Sequence, residues 1–287
     1  MITKMFYKFK NIDGKLEDHH SSFYRTYDSL ENQYFYFSRQ NQLNDPFDMY
    51  TIIDDIPTDK EIRKYLKDNK LLSPTNTVAM WKAKLLNYHF SDDEKINDVS
   101  LNQIAHVLSL TPNITNEVMW GLYASNYTGI AIGYETKRID GRDVLECDNN
   151  KNRITIEKIL NIPDIGSLNF AIRLLPVKYT DEEKDHFSFY KMNYDVFEKN
   201  AYRKKITWNF EQEYRSVIRS GVHVKDDLLW YYKPSIVKEI VFGYKCDESK
   251  KSELMQMIKR IYGETIKFYI VKPDRNNMSC SLEEIES

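Results

Sequence analysis

Thr115-Asn-Glu-Val-Met-Trp-Gly-Leu-Tyr-Ala-Ser-Asn-Tyr-Thr-Gly-Ile-Ala-Ile-Gly-Tyr134 holds both element types of this chain in one stretch. Val118, Met119 and Leu122 fall on one arc at helical spacing, and Trp120, Tyr123 and Tyr127 on an adjacent one. The reading is a helix over 115–127, stopped at Gly129, that leads directly into a buried strand over 130–134.

Outward from this junction the elements alternate irregularly. Residues 5–12 read as a strand, with Phe6, Lys8 and Lys10 on one face and Tyr7 and Phe9 on the other. A short helix near 21–30 precedes Tyr34-Phe-Tyr-Phe-Ser38, rich in strand formers, and Asn44-Asp-Pro46 marks a turn. Apolar positions three and four residues apart predict helices over 59–69, 75–90 and 101–110. Residues 140–152 are polar and read as loop, 174–179 as strand, and 182–206 as a charged helical stretch. Strands are predicted at 216–219, 236–243 and 265–271, the last two flanking a helix at 248–262. Such alternation does not suit a doubly wound sheet. The fold class is α+β: a single domain over 1–273 with a mixed or antiparallel sheet core and a helical insertion at about 55–115. A polar C-terminal tail, 274–287, is expected to fray.

The 287 residues carry 41 Lys and Arg against 43 Asp and Glu, a net charge of −2. That balance argues against a broad electrostatic nucleic-acid binder, while Arg203-Lys-Lys205 beside Tyr202 and Trp208 leaves room for a local basic patch. With 41% hydrophobic residues, including 21 Tyr and 14 Phe, the chain has apolar mass for a real core. No apolar run approaches the roughly 18 residues of a membrane helix, and the N-terminus lacks a signal-peptide apolar segment. The three separated cysteines, Cys147, Cys246 and Cys280, read as reduced thiols. The expectation is a cytoplasmic protein without membrane partners.

Common motifs are missing. There is no G-x-x-x-x-G-K-[ST] phosphate loop, no H-E-x-x-H or C-x-x-C pair, and no G-x-S-x-G elbow. His19 and His20 have no third ligand at a useful spacing, and no metal is predicted.

Three clusters set polar groups inside apolar runs. In Phe37-Ser38-Arg39 through Leu43-Asn44-Asp45-Pro46-Phe47-Asp48, Asn44 and Asp45 either shape the turn through their own backbone or, with Ser38 and Arg39, face a pocket. Trp120, Tyr123 and Tyr127 form either core or a stacking wall for a planar ring. In Trp208-x-x-Glu211-x-Glu213-x-Arg215, alternate residues of an extended chain share a face at about 6.8 Å spacing. Glu211, Glu213 and Arg215 are then either a surface ladder or a carboxylate held ionised by a guanidinium beside a pocket.

Taken together, these clusters resemble a bacterial family known as domain of unknown function 2971. The resemblance rests on Tyr7-Lys8-Phe9, Tyr36-Phe-Ser38 with Leu43-Asn-Asp-Pro-Phe-Asp48, Met119-Trp120-x-x-Tyr123, and Gly129-Ile-Ala-Ile. It continues through Lys205-x-x-Trp208-x-x-Glu211-x-Glu213-Tyr-Arg215 and Ile236-x-Lys-Glu-Ile-Val-Phe-Gly243. Members often carry a histidine before the glycine after the Trp-x-x-Tyr motif; here Tyr127-Thr128-Gly129 stands instead.

The order of parts is also similar to that of ADP-ribosyltransferases that split NAD. That likeness implies Lys8 in place of the usual early Arg or His, a middle strand at 34–38 bearing Ser38, and a catalytic Glu213 or, second, Glu211. Tyr7, Lys8, Ser38, Arg39, Asn44, Asp45, Trp120, Tyr123 and Arg215 would surround NAD, consumed as a substrate. The target would be RNA, DNA or protein, as suits a toxin or anti-phage effector. Two other functions compete: a ligand-sensing or protein-interaction module without turnover, and a nuclease holding Mg²⁺ with Asp45, Asp48, Glu211 and Glu213.

Overall fold

Ile130, Ile132 and Tyr134 point to one side of their strand and Ala131 and Gly133 to the other, so one face is bulky and the other nearly flat. The flat face lets the helix before it lie close, and the bulky face fills the main core. The computed structural model describes residues 3–55, 57–74, 77–80, 105–160, 170–188, 195–219 and 228–285.

Around this strand runs a large, mostly antiparallel sheet. Its members in chain order are β1 (Thr3–Lys10), β2 (Tyr34–Arg39), β4 (Ala105–Leu110), β5 (Ile130–Ile139), β6 (Arg142–Glu146), β7 (Ala171–Pro176), β11 (Tyr214–Arg219), β12 (Leu228–Tyr231), β13 (Val237–Gly243), β14 (Lys267–Asp274) and β15 (Ser279–Glu284). Four short strands, β3 (Ile53–Asp55), β8 (Lys178–Tyr179), β9 (Phe187–Ser188) and β10 (Arg203–Lys204), pair separately as β3–β9 and β8–β10. In the large sheet β1, β5, β6, β7, β11 and β4 are successive antiparallel neighbours. An isolated bridge, Tyr7–Thr111, joins the end of β4 back to β1 and closes this set into a ring. β13 and β14 are parallel, and the helix Glu248–Tyr262 supplies the crossover that a parallel pair needs.

Helices Ser22–Glu31 and Glu248–Tyr262 pack on the main core through Phe23, Leu30, Leu254, Met257 and Ile258. Ser21 caps the first by accepting a hydrogen bond from the Tyr24 N–H, and Asp247 caps the second in the same way. The helix Glu117–Tyr123 lies on the flat face, where Trp120 meets Phe9, Ala131 and Val241.

The α+β class stands, with corrections to individual elements. Ala105–Leu110 is a strand, not a helix, and it lies between β2 and β11. Most of it is buried on both faces, so its apolar residues carry no two-residue alternation to mark it. The predicted loop at 140–152 holds β6 and the start of the helix Asn149–Leu160. Within 182–206 the described helix is Asp195–Ala201, flanked by β9 and β10. The expected frayed tail forms β15, paired with β14 over six positions. The prediction over 75–90 lies largely outside the described residues.

Gly243 sits against the backbone of Tyr127, and a Cβ there would stand 2.0 Å from the Tyr127 carbonyl oxygen. Backbone cannot retreat as a side-chain tip can. Gly243→Ala is therefore expected to destabilise the fold by about 1–3 kcal/mol, read as a lower urea midpoint at unchanged slope.

Candidate active site

β1 and β4 share the single Tyr7–Thr111 bridge and pair no further. Lys8 spans the resulting fork, its Nζ donating to the Ser109 carbonyl at 2.9 Å. A cavity of about 330 Å³ opens there. β1 supplies Tyr7, Lys8 and Phe9; the chain from β2 onward supplies Ser38, Asn44 and Asp48; the helix Glu117–Tyr123 supplies Met119, Leu122 and Tyr123. Ser109, Lys204, Glu211, Glu213 and Arg215 line it as well.

Two local features aim the charged groups. Ile206–Glu211 is a 3-10 turn that ends at Gln212 in the left-handed region, φ +45°, before β11 begins at Tyr214. Glu211 thus precedes the strand, which corrects the reading of one extended Glu-x-Glu-x-Arg face; the left-handed turn brings it to the cavity that Glu213 and Arg215 also line. In the 44–48 loop, Asp45 accepts from the Phe47 N–H at 2.9 Å, and its carbonyl accepts from the Asp48 N–H at 3.1 Å. Asp45 is the turn-shaping residue, and it directs Asp48 inward.

Arg215 is the anchor. Its Nε donates to Glu213 Oε1 at 2.5 Å, and Nη2 donates to Glu213 Oε2 at 2.8 Å and to Asp48 Oδ2. Nη1 donates to Asp48 Oδ1 at 2.7 Å and to the Ala201 carbonyl at 2.9 Å. All five N–H donors of the guanidinium are used, and the side chain is fully buried. Lys204 lies beside this pair. Its Nζ is 2.5 Å from Glu211 Oε2, 3.5 Å from Asp48 Oδ2 and 3.6 Å from Glu213 Oε2, and it stands 4.6 Å above the Trp208 ring. Glu211 also accepts from the Tyr123 hydroxyl, which Asn44 contacts in turn.

Three cations, Lys8, Lys204 and Arg215, thus face three carboxylates, Asp48, Glu211 and Glu213. The two glutamates separate in acidity. Burial alone would raise both, but the Arg215 guanidinium holds the Glu213 carboxyl down at about 2. For Glu211, burial prevails over Lys204, and with the nearby Glu213 charge it sets the carboxyl above the usual range. Burial also lowers Lys8, against the pull of both glutamates, whereas the carboxylates hold Lys204 above its ordinary value despite its burial. A carboxyl pair driven apart in this way can divide roles, one a fixed anion and the other a proton carrier.

Of the residues nominated from sequence, Tyr7, Lys8, Ser38, Asn44, Tyr123, Glu211, Glu213 and Arg215 line this one cavity. Arg39, Asp45 and Trp120 do not line it. Trp120 is fully buried, edge-on to Phe9 at 5.0 Å and stacked on Tyr127, with its Nε1 donating to the Ile114 carbonyl. It belongs to the core; of the aromatic stripe only Tyr123 turns to the cavity. The basic patch at 203–205 dissolves too: Lys204 is inside, and Arg203 pairs with Glu182 and Asp185. The roles of Lys204 and of Asp48 as the Arg215 partner went unread. Their signals were faint, a lysine seven residues before Glu211 and a second acid in the Asn-Asp-Pro-Phe-Asp run. Among the described residues no group of three or more His, Cys, Asp or Glu is placed to hold a metal ion, and no helix is long and apolar enough to cross a membrane.

Residues 119–216 match the family model described as protein of unknown function DUF2971. This stretch is similar to that family. No curated protein and no solved structure matches the chain. The matched stretch contributes Tyr123, Lys204, Glu211, Glu213 and Arg215 to the cavity, while Lys8, Ser38, Asn44, Asp48 and Ser109 come from before it. The carboxylate–cation cluster therefore draws on both parts.

Proposed function

We propose that this cavity cleaves the N-glycosidic bond of a nucleotide, with NAD as the donor and a macromolecule or water as the acceptor. One observation carries the reading. Lys8, Ser38, Tyr123, Glu211 and Glu213, from four separate stretches of the chain, converge on one cavity that ends in two glutamates of opposite acidity shift. At about 330 Å³ the cavity lies at the small end of the 300–1,000 Å³ typical of ligand sites. It suits the nicotinamide–ribose end, with the rest of NAD running out through the mouth.

Each glutamate then has its own task. Both Glu213 oxygens serve Arg215, so Glu213 is a fixed negative charge. Glu211 holds one partner on each oxygen, Tyr123 and Lys204, and a carboxylate offers about four acceptor positions. Two remain for the ribose hydroxyls or an incoming acceptor. As the C–N bond breaks, its electron pair leaves with nicotinamide, and the two carboxylates stabilise the positive charge on the anomeric carbon. The acceptor oxygen or nitrogen adds to that carbon and passes its proton to Glu211. This exchanges the order expected from sequence: Glu211 is the reacting carboxylate and Glu213 the fixed one.

A second reading, binding without turnover, is favoured by the completeness of the cluster, in which every Arg215 donor is already used within the protein. A carbocyclic NAD analogue, which cannot lose nicotinamide, separates binding from cleavage. At 100 times its dissociation constant it should add about 2.7 kcal/mol of stability. Ser38→Tyr, which fills the cavity, should abolish the rise in melting temperature. No rise with either NAD or the analogue contradicts the proposal.

A further inference from the structure

A second, larger cavity of about 550 Å³ adjoins the site, with Lys204 in the wall of both. One side of it is apolar: Phe47, Tyr50 and Ile52, with Phe47 67% exposed. Phe47 therefore adds an open aromatic face to the apolar side of this cavity. Lys184 stands in the same wall and is only partly exposed.

We propose that Lys184 is a nucleophilic amine that captures a carbonyl compound with a flat apolar body in this second cavity. The amine nitrogen adds to the carbonyl carbon. The carbonyl oxygen leaves as water, taking the amine's two protons, and a neutral imine remains. No oxidant or reductant is consumed, and the step is reversible. The proposal does not depend on NAD chemistry in the neighbouring cavity.

Geometry separates Lys184 from the other lysines of the region. Among the described residues its one hydrogen bond is to the Phe47 carbonyl, at 2.6 Å, and it forms no ion pair. Lys204, by contrast, lies against three carboxylates. The charges around Lys184 oppose one another: Asp45 and Asp48 favour its charged form, Arg203 and Arg215 disfavour it. Asp181, Glu182 and Glu183 stand exposed at the rim, Lys205 is exposed there too, and His186 is engaged by Asp54 at 2.5 Å. Burial prevails and lowers the amine to about 8. Partial burial beside cationic groups, here Arg215 and Arg203, is a recognised way of activating an imine-forming lysine.

The probe is 4-carboxybenzaldehyde, whose ring suits the apolar wall, with cyanoborohydride to trap the imine and peptide mass spectrometry to locate it. At pH 7.5 an amine titrating near 8 is about a quarter neutral, and an ordinary lysine about a thousandth. Saturable trapping on Lys184, at least about tenfold faster than on any other lysine, is expected. The rate should rise to a plateau with its midpoint near pH 8. Lys184→Arg, which keeps the bond to the Phe47 carbonyl, should remove the adduct, and Phe47→Ser should weaken saturation with the fold intact. Labelling that follows surface exposure, or that does not saturate at Lys184, overturns the proposal.

Discussion

Arg215→Met is expected to lower the unfolding free energy by about 3–5 kcal/mol, because it strands two buried carboxylates at once. Asp48 and Glu213 are both nearly inaccessible, and the guanidinium satisfies them on two oxygens each. Methionine fills the space and supplies no donor. Lys204 remains, but at 3.5 and 3.6 Å, and it already serves Glu211. Arg215→Lys should recover only part of the loss, since one ammonium cannot hold two carboxylates bidentately.

The pH dependence follows from Glu213. A carboxyl that titrates near 2 in the folded protein and near 4.5 when unfolded contributes stability that is complete above 4.5 and lost as pH falls toward 2. In Arg215→Met the guanidinium no longer holds that carboxyl down, and burial raises it instead. Acid then discharges the stranded group, so the deficit of the variant relative to wild type should shrink from pH 7 to pH 4. Urea unfolding at the two pH values reads this. A deficit below 1 kcal/mol at pH 7, or one that grows on acidification, would show that the cluster does not anchor the fold.

The second large effect concerns chemistry. Glu211→Gln should reduce glycosidic cleavage on the order of 10²–10³-fold, the usual cost of losing one group that stabilises developing charge. Its stability should change little. The amide keeps the shape and can accept from Lys204, which retains Asp48 and Glu213. Glu213→Gln should lower activity and stability together, because it breaks the Arg215 fork. Loss of turnover without loss of stability therefore identifies the reacting carboxylate. Since Glu211 titrates above the usual carboxylate range, the rate should rise with pH as its proton leaves, and that limb should vanish in Glu211→Gln.

The helix-to-strand junction at 115–134 was readable because its signals are local: two arcs at helical spacing, a glycine stop, and Ile-Ala-Ile-Gly. Ala105–Leu110 was not, because a strand mostly buried on both faces looks the same as a short buried helix. β15 was missed for the opposite reason. It is an edge strand with Cys280 its single buried side chain, so it reads as a polar tail. At the site, the Glu-x-Glu-x-Arg spacing revealed the partners but not the geometry. The left-handed Gln212 that redirects Glu211 has no glycine to announce it. Convergence was the least legible feature. Lys8, Asp48 and Arg215 come together through strand pairing and one inward-turned loop, which no spacing rule encodes.

Release of free nicotinamide from NAD tests the central claim most directly, with cell lysate supplying acceptors and wild type run beside Glu211→Gln. Release by wild type that falls at least about a hundredfold in the variant, with both proteins equally stable, is the predicted result. Absence of release by a wild-type protein that nonetheless binds the carbocyclic analogue would contradict it and leave the cavity as a binding site.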